Sequence, residues 1–178
     1  MEVEDVTKVA VLGAGNMGHG IAEVVAIAGF TVVMRDINEE LVKRGYEGIV
    51  WSLDKLVEKG QISEKKLEET LERITTVVEI EDAVLDAEVV IEAIPERMDL
   101  KKEVYGEVRK YLSKNAVILS NTSSLSITEL SEVTGCPDRF CGLHFFNPPI
   151  KMPLIEVISG DYTAKETFEF ATQFAKRI

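Results

Sequence analysis

The stretch Val9-Ala-Val-Leu-Gly13-Ala-Gly15-Asn-Met-Gly18-His-Gly-Ile21 sets the frame for the whole chain. Four apolar residues without polar alternation run into three glycines. Ile21, Val24, Val25 and Ala28 then recur at helical spacing. A strand, a tight turn and an amphipathic helix follow in that order. Val32-Val-Met34, Val89-Val-Ile91 and Val117-Ile-Leu119 repeat the pattern of the first run. Such runs suit strands buried on both faces, as in a parallel sheet covered by helices. Helical segments are expected over 16–28, 38–59, 63–73 and 98–112. The alternation predicts one doubly wound α/β domain over residues 1–178.

The segment 38–73 is too long for a simple crossover. It reads as two helices joined at Lys59-Gly60-Gln61, with Gly60 as C-cap and Ser63 capping the second helix, and is expected to project from the sheet. Ser126-Ile-Thr-Glu129 and Thr163-Ala-Lys-Glu166 both fit a capping box. The second opens a helix reaching Ile178, with Phe168, Ala171 and Phe174-Ala175 on its apolar face. No Gly, Pro or polar tail stops that helix, so the chain is expected to be cut short just after a domain boundary.

Hydrophobic residues make up 46% of the 178, enough for a core, yet no apolar run reaches the ~18 residues a membrane span needs. The acidic start, Met1-Glu-Val-Glu-Asp5, lacks a secretory n-region, and a cytoplasmic location is expected. A net charge of −11 argues against nucleic-acid binding and means that an anionic ligand needs a local basic patch. Cys136 and Cys141 lack a CxxC spacing and read as reduced thiols, with no metal site.

Gly13, Gly15 and Gly18 form a GxGxxG motif, which is weak evidence alone. Here it follows a strand, opens a helix and precedes an acid, Asp36, 18 residues on at the end of the second strand. Gly13 allows the turn, Gly15 lets backbone approach a pyrophosphate, and Gly18 lets helix pack on strand. The helix N-terminus offers free N–H groups and a positive dipole end. Asp36 suits a ribose diol and would repel a 2′-phosphate, which favours NAD over NADP despite the adjacent Arg35.

In the second half, Phe140-Cys-Gly-Leu-His144 reads as a strand ended by Pro148-Pro149, with Leu154-Ile-Glu-Val-Ile158 following. Glu156 sits amid apolar residues. It is expected to be buried and therefore to need a partner, for which His144 is the candidate. A lone Glu in such a run also fits an edge strand. A His held by a carboxylate suits general-base chemistry, because imidazole titrates near neutrality and the carboxylate fixes its tautomer. Ser123 and Asn147 can hydrogen-bond a substrate oxygen. No GxSxG elbow is present, which argues against a hydrolase. His19, on the first helix, reads as solvated or close to a phosphate.

Gly13-Ala-Gly-Asn-Met-Gly18, Glu92-Ala-Ile-Pro-Glu96, Ser120-Asn-Thr-Ser-Ser-Leu125 and Gly142-Leu-His-Phe-Phe-Asn-Pro148 together resemble the 3-hydroxyacyl-CoA dehydrogenase family, in its order and spacing. The resemblance implies a Rossmann-type NAD-binding domain that oxidises L-3-hydroxyacyl-CoA to 3-ketoacyl-CoA. His144 matches the general base and Glu156 the acid orienting it. Ser123 and Asn147 match residues that bind the reacting oxygen and position the nicotinamide. Asn16 and Met17 lie within the matched glycine motif, and Glu96 and Lys101 match positions lining the cofactor pocket. The helix pair matches the CoA-contacting arm, with Ser52 and Lys59 at substrate-contacting positions. The resemblance further implies an acyl-CoA partner and a helical C-terminal domain, missing here, that builds a homodimer. The rival expectations are an NAD-binding module with little activity alone, or a dehydrogenase of another 3-hydroxy acid or a sugar acid.

Overall fold

The computed structural model describes residues 2–178. A 3-10 turn, Val3–Asp5, leads into β1 (Lys8–Leu12), and α1 (Asn16–Ile27) follows the glycine turn. Next come β2 (Thr31–Arg35), the pair α2 (Glu39–Glu58) and α3 (Glu64–Glu72), and β3 (Ile74–Val77). The short α4 (Ile80–Val84) precedes β4 (Val89–Glu92), α5 (Met98–Tyr111) and β5 (Val117–Ser120). The chain ends with α6 (Ile127–Ser131), β6 (Phe140–Phe145), β7 (Ile155–Ile158) and α7 (Lys165–Arg177). The sheet order is β3-β2-β1-β4-β5-β6-β7. Every pairing is parallel except that of β6 with β7. This is the expected Rossmann-type sheet, and its order reverses between β1 and β4.

The four unalternating runs fall on β1, β2, β4 and β5, the middle of the sheet, where β4 and β5 are buried at every position. Two apolar layers enclose them. Ile21, Val25, Phe30 and Phe174 lie in one, and Val84, Tyr105, Val108 and Phe140 in the other.

The helix pair has the caps expected at Gly60 and Ser63, and Asn38 adds one at the start of α2. Asn38 accepts from the Leu41 amide at 2.9 Å and Ser63 from that of Lys66 at 3.1 Å. Gly60, at φ +66°, ends α2. Its N–H donates to the Val57 carbonyl at 2.8 Å and that of Gln61 to Leu56 at 2.9 Å, the paired bonds of a Schellman motif. The inner stripe of α2, Val42, Gly45, Ile49 and Leu53, is buried. The outer face carries Trp51, 66% exposed.

Three expectations need correction. The sequence reading left out β3 and α4, whose segments are short and mixed in polarity. Ser126 caps α6 by accepting from the Glu129 amide at 3.2 Å, but Thr163 does not cap α7. Its hydroxyl instead donates to the Phe140 carbonyl at 2.7 Å and accepts from the Gly160 amide at 2.8 Å, tying the loop to β6. The N-cap is Ala164, and the buried face of α7 is Thr167, Phe170, Ala171 and Phe174, with Phe168 38% exposed on the flank.

Leu53→Ala should lower stability by ~2–5 kcal/mol in urea unfolding, because it empties a fully buried site. Trp51→Ala should change it by no more than ~0.5 kcal/mol. Equal effects would mean that the inner stripe of α2 does not carry the contact.

Candidate active site

The site gathers at the C-terminal ends of β1, β4, β5 and β6, where sheet order reverses and α/β sheets place their ligands. A cleft of about 740 Å³ opens there. Gly13, Gly15, Asn16, Met17, Asp36, Glu96, Ser123, His144 and Asn147 all line it. Nine sequence-predicted site residues thus meet in one cavity. Gly18, Lys101, Ser52, Lys59 and Glu156 lie outside its wall.

The glycine turn is held by close approach. Gly13 sits at φ +107°, and a Cβ there would lie 2.6 Å from the Ala93 carbonyl oxygen. A Cβ on Gly18 would lie 1.9 Å from the Gly13 carbonyl oxygen, so the first turn of α1 can rest on β1 only with glycine there. A Cβ on Gly15 would meet nothing within 4 Å. Gly15 is therefore bare toward the cleft, and no side chain caps α1. Bare backbone and an uncapped helix N-terminus fit a pyrophosphate. Asp36 completes the turn: its carboxylate accepts from the Ala14 amide and from its neighbour Ile37, both at 2.7 Å. Arg35 donates Nε to the Val78 carbonyl at 2.6 Å, which draws its guanidinium toward β3.

Opposite, β6 and β7 run antiparallel with His144 directly across from Glu156. His144 Nδ1 lies 2.7 Å from Glu156 Oε2. A carboxylate only accepts, so Nδ1 carries the hydrogen, and the neutral ring in this tautomer presents its lone pair at Nε2. The expected burial of Glu156 is not found: its side chain is 53% exposed, against 19% for His144. β7 is the edge strand of the sheet, and its residues are only partly covered. The Phe146 ring backs the imidazole at 4.7 Å between centroids. Asn121 Oδ1 accepts from the Phe145 amide at 2.8 Å, fixing β6 to the end of β5.

Ser123 is held by Glu96, whose Oε1 accepts from the Ser123 amide at 3.0 Å and from the Thr122 hydroxyl at 2.5 Å. Burial alone would raise the Glu96 carboxyl. The Thr122 hydroxyl, the Lys101 charge and the Ser123 amide outweigh it and hold the group at about 2.

Lys101 lies behind this wall, 1% exposed, with Nζ 2.6 Å from Glu92 Oε1 and 3.3 Å from Glu96 Oε2. Glu92 is the polar hub that sequence reasoning passed over. Fully buried, it also accepts from Tyr105 at 2.7 Å, Ser120 at 2.8 Å and the Ile94 amide at 2.8 Å. Burial and the Glu92 charge push the Tyr105 phenol up, so it stays a donor. The signal was present, since a carboxylate ending the run Val89-Val-Ile91 in a central strand requires such partners.

Ser52 and Lys59 meet in a second groove of about 450 Å³, with Trp51, Lys55, Ile150 and Lys151 on its walls. The loop that carries Asn147 at the cleft continues into Ile150 and Lys151 at this groove. Lys55, Lys59 and Lys151 bring three ammonium groups to the groove, of which Lys55 is paired with Glu58. His19 packs against α2, with Nε2 3.2 Å from the position of a Cβ on Gly48. Among the described residues no three His, Cys, Asp or Glu side chains are placed to hold a metal ion, and no helix is long and apolar enough to cross a membrane. Cys136 and Cys141 are free and buried.

The profile of the family described as 3-hydroxyacyl-CoA dehydrogenase, NAD binding domain, matches residues 8–178. The chain belongs to that family. It is 38% identical over 173 residues to a 3-hydroxybutyryl-CoA dehydrogenase of Bradyrhizobium diazoefficiens, covering 97% of this chain and 59% of the relative. It is 38% identical over 175 residues to a fatty acid oxidation complex subunit alpha of Idiomarina loihiensis, covering 98% of this chain and 24% of the relative. The crystal structure of an (S)-3-hydroxybutyryl-CoA dehydrogenase from Ralstonia eutropha superposes with a TM-score of 0.94 at 38% identity, over 97% of this chain and 61% of that one. The chain thus spans between a quarter and three fifths of the length of these relatives. Its cofactor is NAD, and the uncapped α1, bare Gly15 and Asp36 have the chemistry to hold a dinucleotide.

Gly15→Ala should leave thermal unfolding unchanged yet weaken NADH binding about tenfold or more, because the methyl group takes the space of the pyrophosphate. Gly18→Ala should lower Tm by roughly 6–12 °C, the equivalent of ~3 kcal/mol in a domain this size. Gly15→Ala with full NADH affinity would remove the phosphates from this turn.

Proposed function

We propose that this chain is the NAD-binding and base-bearing domain of an enzyme that interconverts L-3-hydroxyacyl-CoA and 3-ketoacyl-CoA. One observation carries the reading. His144, held by Glu156 from outside the wall, lines the same cleft as the glycine turn and Asp36. NAD, when bound, supplies the acceptor for the hydride that leaves C3 of the substrate. His144 Nε2 takes the hydroxyl proton as C3 becomes a carbonyl, and in the reverse direction returns it. Glu156 holds Nδ1–H, so the ring presents Nε2 and the imidazolium formed in turnover is stabilised. Ser123 and Asn147 hydrogen-bond the reacting oxygen. Glu96 fixes the Ser123 backbone, and Glu92 with Lys101 braces Glu96 from behind.

Ser52 and Lys59 contact the CoA portion of the substrate, and the lysines of the second groove supply the charge its phosphates need. A 3-hydroxybutyryl-CoA dehydrogenase among the sequence relatives and another among the solved structures support this substrate class. The remaining length of those relatives leaves room for a further domain, and we take it, as the resemblance implies, to be helical, to close the site and to pair two copies. We place the enzyme in the cytosol.

His144→Ala should lower turnover of 3-hydroxybutyryl-CoA at least ~100-fold while NADH affinity stays within about twofold, the signature of a lost base. Unchanged turnover would take His144 out of the mechanism.

A further inference from the structure

Glu23 is a buried acid that the proposed chemistry does not use. It lies on α1 and is 1% exposed. Its Oε1 is 2.7 Å from the Ser52 hydroxyl, which forms part of the second groove. The two helices are close here because His19, one turn before Glu23, packs against Gly48, one turn before Ser52. Pro149 presses on Gly20, where a Cβ would come within 2.9 Å of its Cδ. Ile150 and Lys151, which follow Pro149, line the groove together with Ser52.

We propose that Glu23 is a positioning residue for the CoA groove, its protonation state deciding whether the Ser52 hydroxyl donates toward the ligand or inward. The proposal rests on the reading of that groove as the acyl-CoA site. The chemistry follows from donor counting. A neutral carboxyl can donate its own O–H to Ser52 Oγ, leaving the serine hydrogen free for an acceptor in the groove. A carboxylate can only accept, so it claims that hydrogen, and Ser52 shows lone pairs to the ligand. The carboxylate also adds a negative charge beside an anionic ligand.

Burial pushes the Glu23 carboxyl up to about 7, against the lowering effect of the Ser52 hydrogen bond. The switch therefore falls in the neutral range. The other charged groups around it are accounted for. Lys55 of α2 is held by Glu58 at 2.6 Å, and Lys66 of α3 donates to the Ile27 carbonyl at 2.8 Å. His19 of α1 faces Gly48, while Lys59 and Lys151 line the groove. Among the described residues, Ser52 alone hydrogen-bonds the Glu23 side chain.

Trp51, the single tryptophan, lines the groove beside Ser52 and gives a direct signal. The test is a titration of the chain with acetoacetyl-CoA at pH 6 and pH 8, followed by Trp51 fluorescence. Wild type should bind up to about tenfold more weakly at pH 8, the limit when only the protonated form binds well. Glu23→Gln, close in shape and without a titrating proton, should lose most of that difference. Ser52→Ala should weaken binding at pH 6. A Glu23→Gln chain that keeps the wild-type pH dependence, while Ser52→Ala weakens binding, overturns the role of Glu23 alone. Ser52→Ala with unchanged affinity overturns the groove reading and this inference with it. A measurement on wild type covers the case in which the variant fails to fold. The midpoint of the Glu23 carboxyl 13C titration should rise on adding acetoacetyl-CoA, and an unmoved midpoint also overturns the proposal.

Discussion

The close approach of α1 to the turn after β1 is the constraint on which the rest depends. Gly18 sets helix backbone against the Gly13 carbonyl, and Gly13 sets the turn against the Ala93 carbonyl beyond β4. Three backbone segments converge with no side chain between them. This proximity leaves the N-terminus of α1 open at the point where sheet order reverses. Any ligand held there lies between β1 and β4, with β5 and β6 beside it. The positions of Ser123 and His144 follow from sheet order, because both stand at the C-terminal ends of those neighbouring strands.

Two polar systems then give the cleft its chemistry, and they differ in kind. Glu92, Lys101 and Tyr105 are wholly buried and fully partnered. A buried charge cluster gives little net stability, but removing one member leaves the others unpaired. Its value is geometric: through Glu96 it fixes where the Ser123 backbone lies. The His144–Glu156 pair is open to solvent on its carboxylate side, and its geometry comes from strand register instead. An antiparallel pair places directly opposite side chains ~4.5–5.5 Å apart at Cβ, within reach of a bond between imidazole and carboxylate.

Much of this was legible in the sequence, for identifiable reasons. The central strands are buried on both faces, so their apolar runs stand out, and the helix ends carry specific caps at Gly60 and Ser63. The glycine turn could be read because Gly13 and Gly18 each answer a steric demand, while Gly15 leaves the backbone bare. The rest was hidden where tertiary context decides. β3 packs at the edge beside β2, and its Thr75-Thr76 carries no apolar signal. Thr163 satisfies the capping pattern, but the Phe140 carbonyl competes for its hydroxyl. Glu156 paired as expected yet stayed exposed, because an edge strand needs no second covering layer. Glu92 ends an apolar run and so demands partners, but that Lys101 and Tyr105 supply them is decided by the fold; Glu23 is an ordinary acid in sequence and meets Ser52 only when α2 packs on α1.

The most direct test of a dinucleotide cleft built by Gly15, α1 and Asp36 is a nicotinamide fluorescence titration of the folded chain with NADH and, separately, NADPH. The account predicts saturable NADH binding, with NADPH weaker by about tenfold or more, because its 2′-phosphate meets the Asp36 carboxylate. A chain folded by circular dichroism that binds neither nucleotide, or binds both equally, would contradict it.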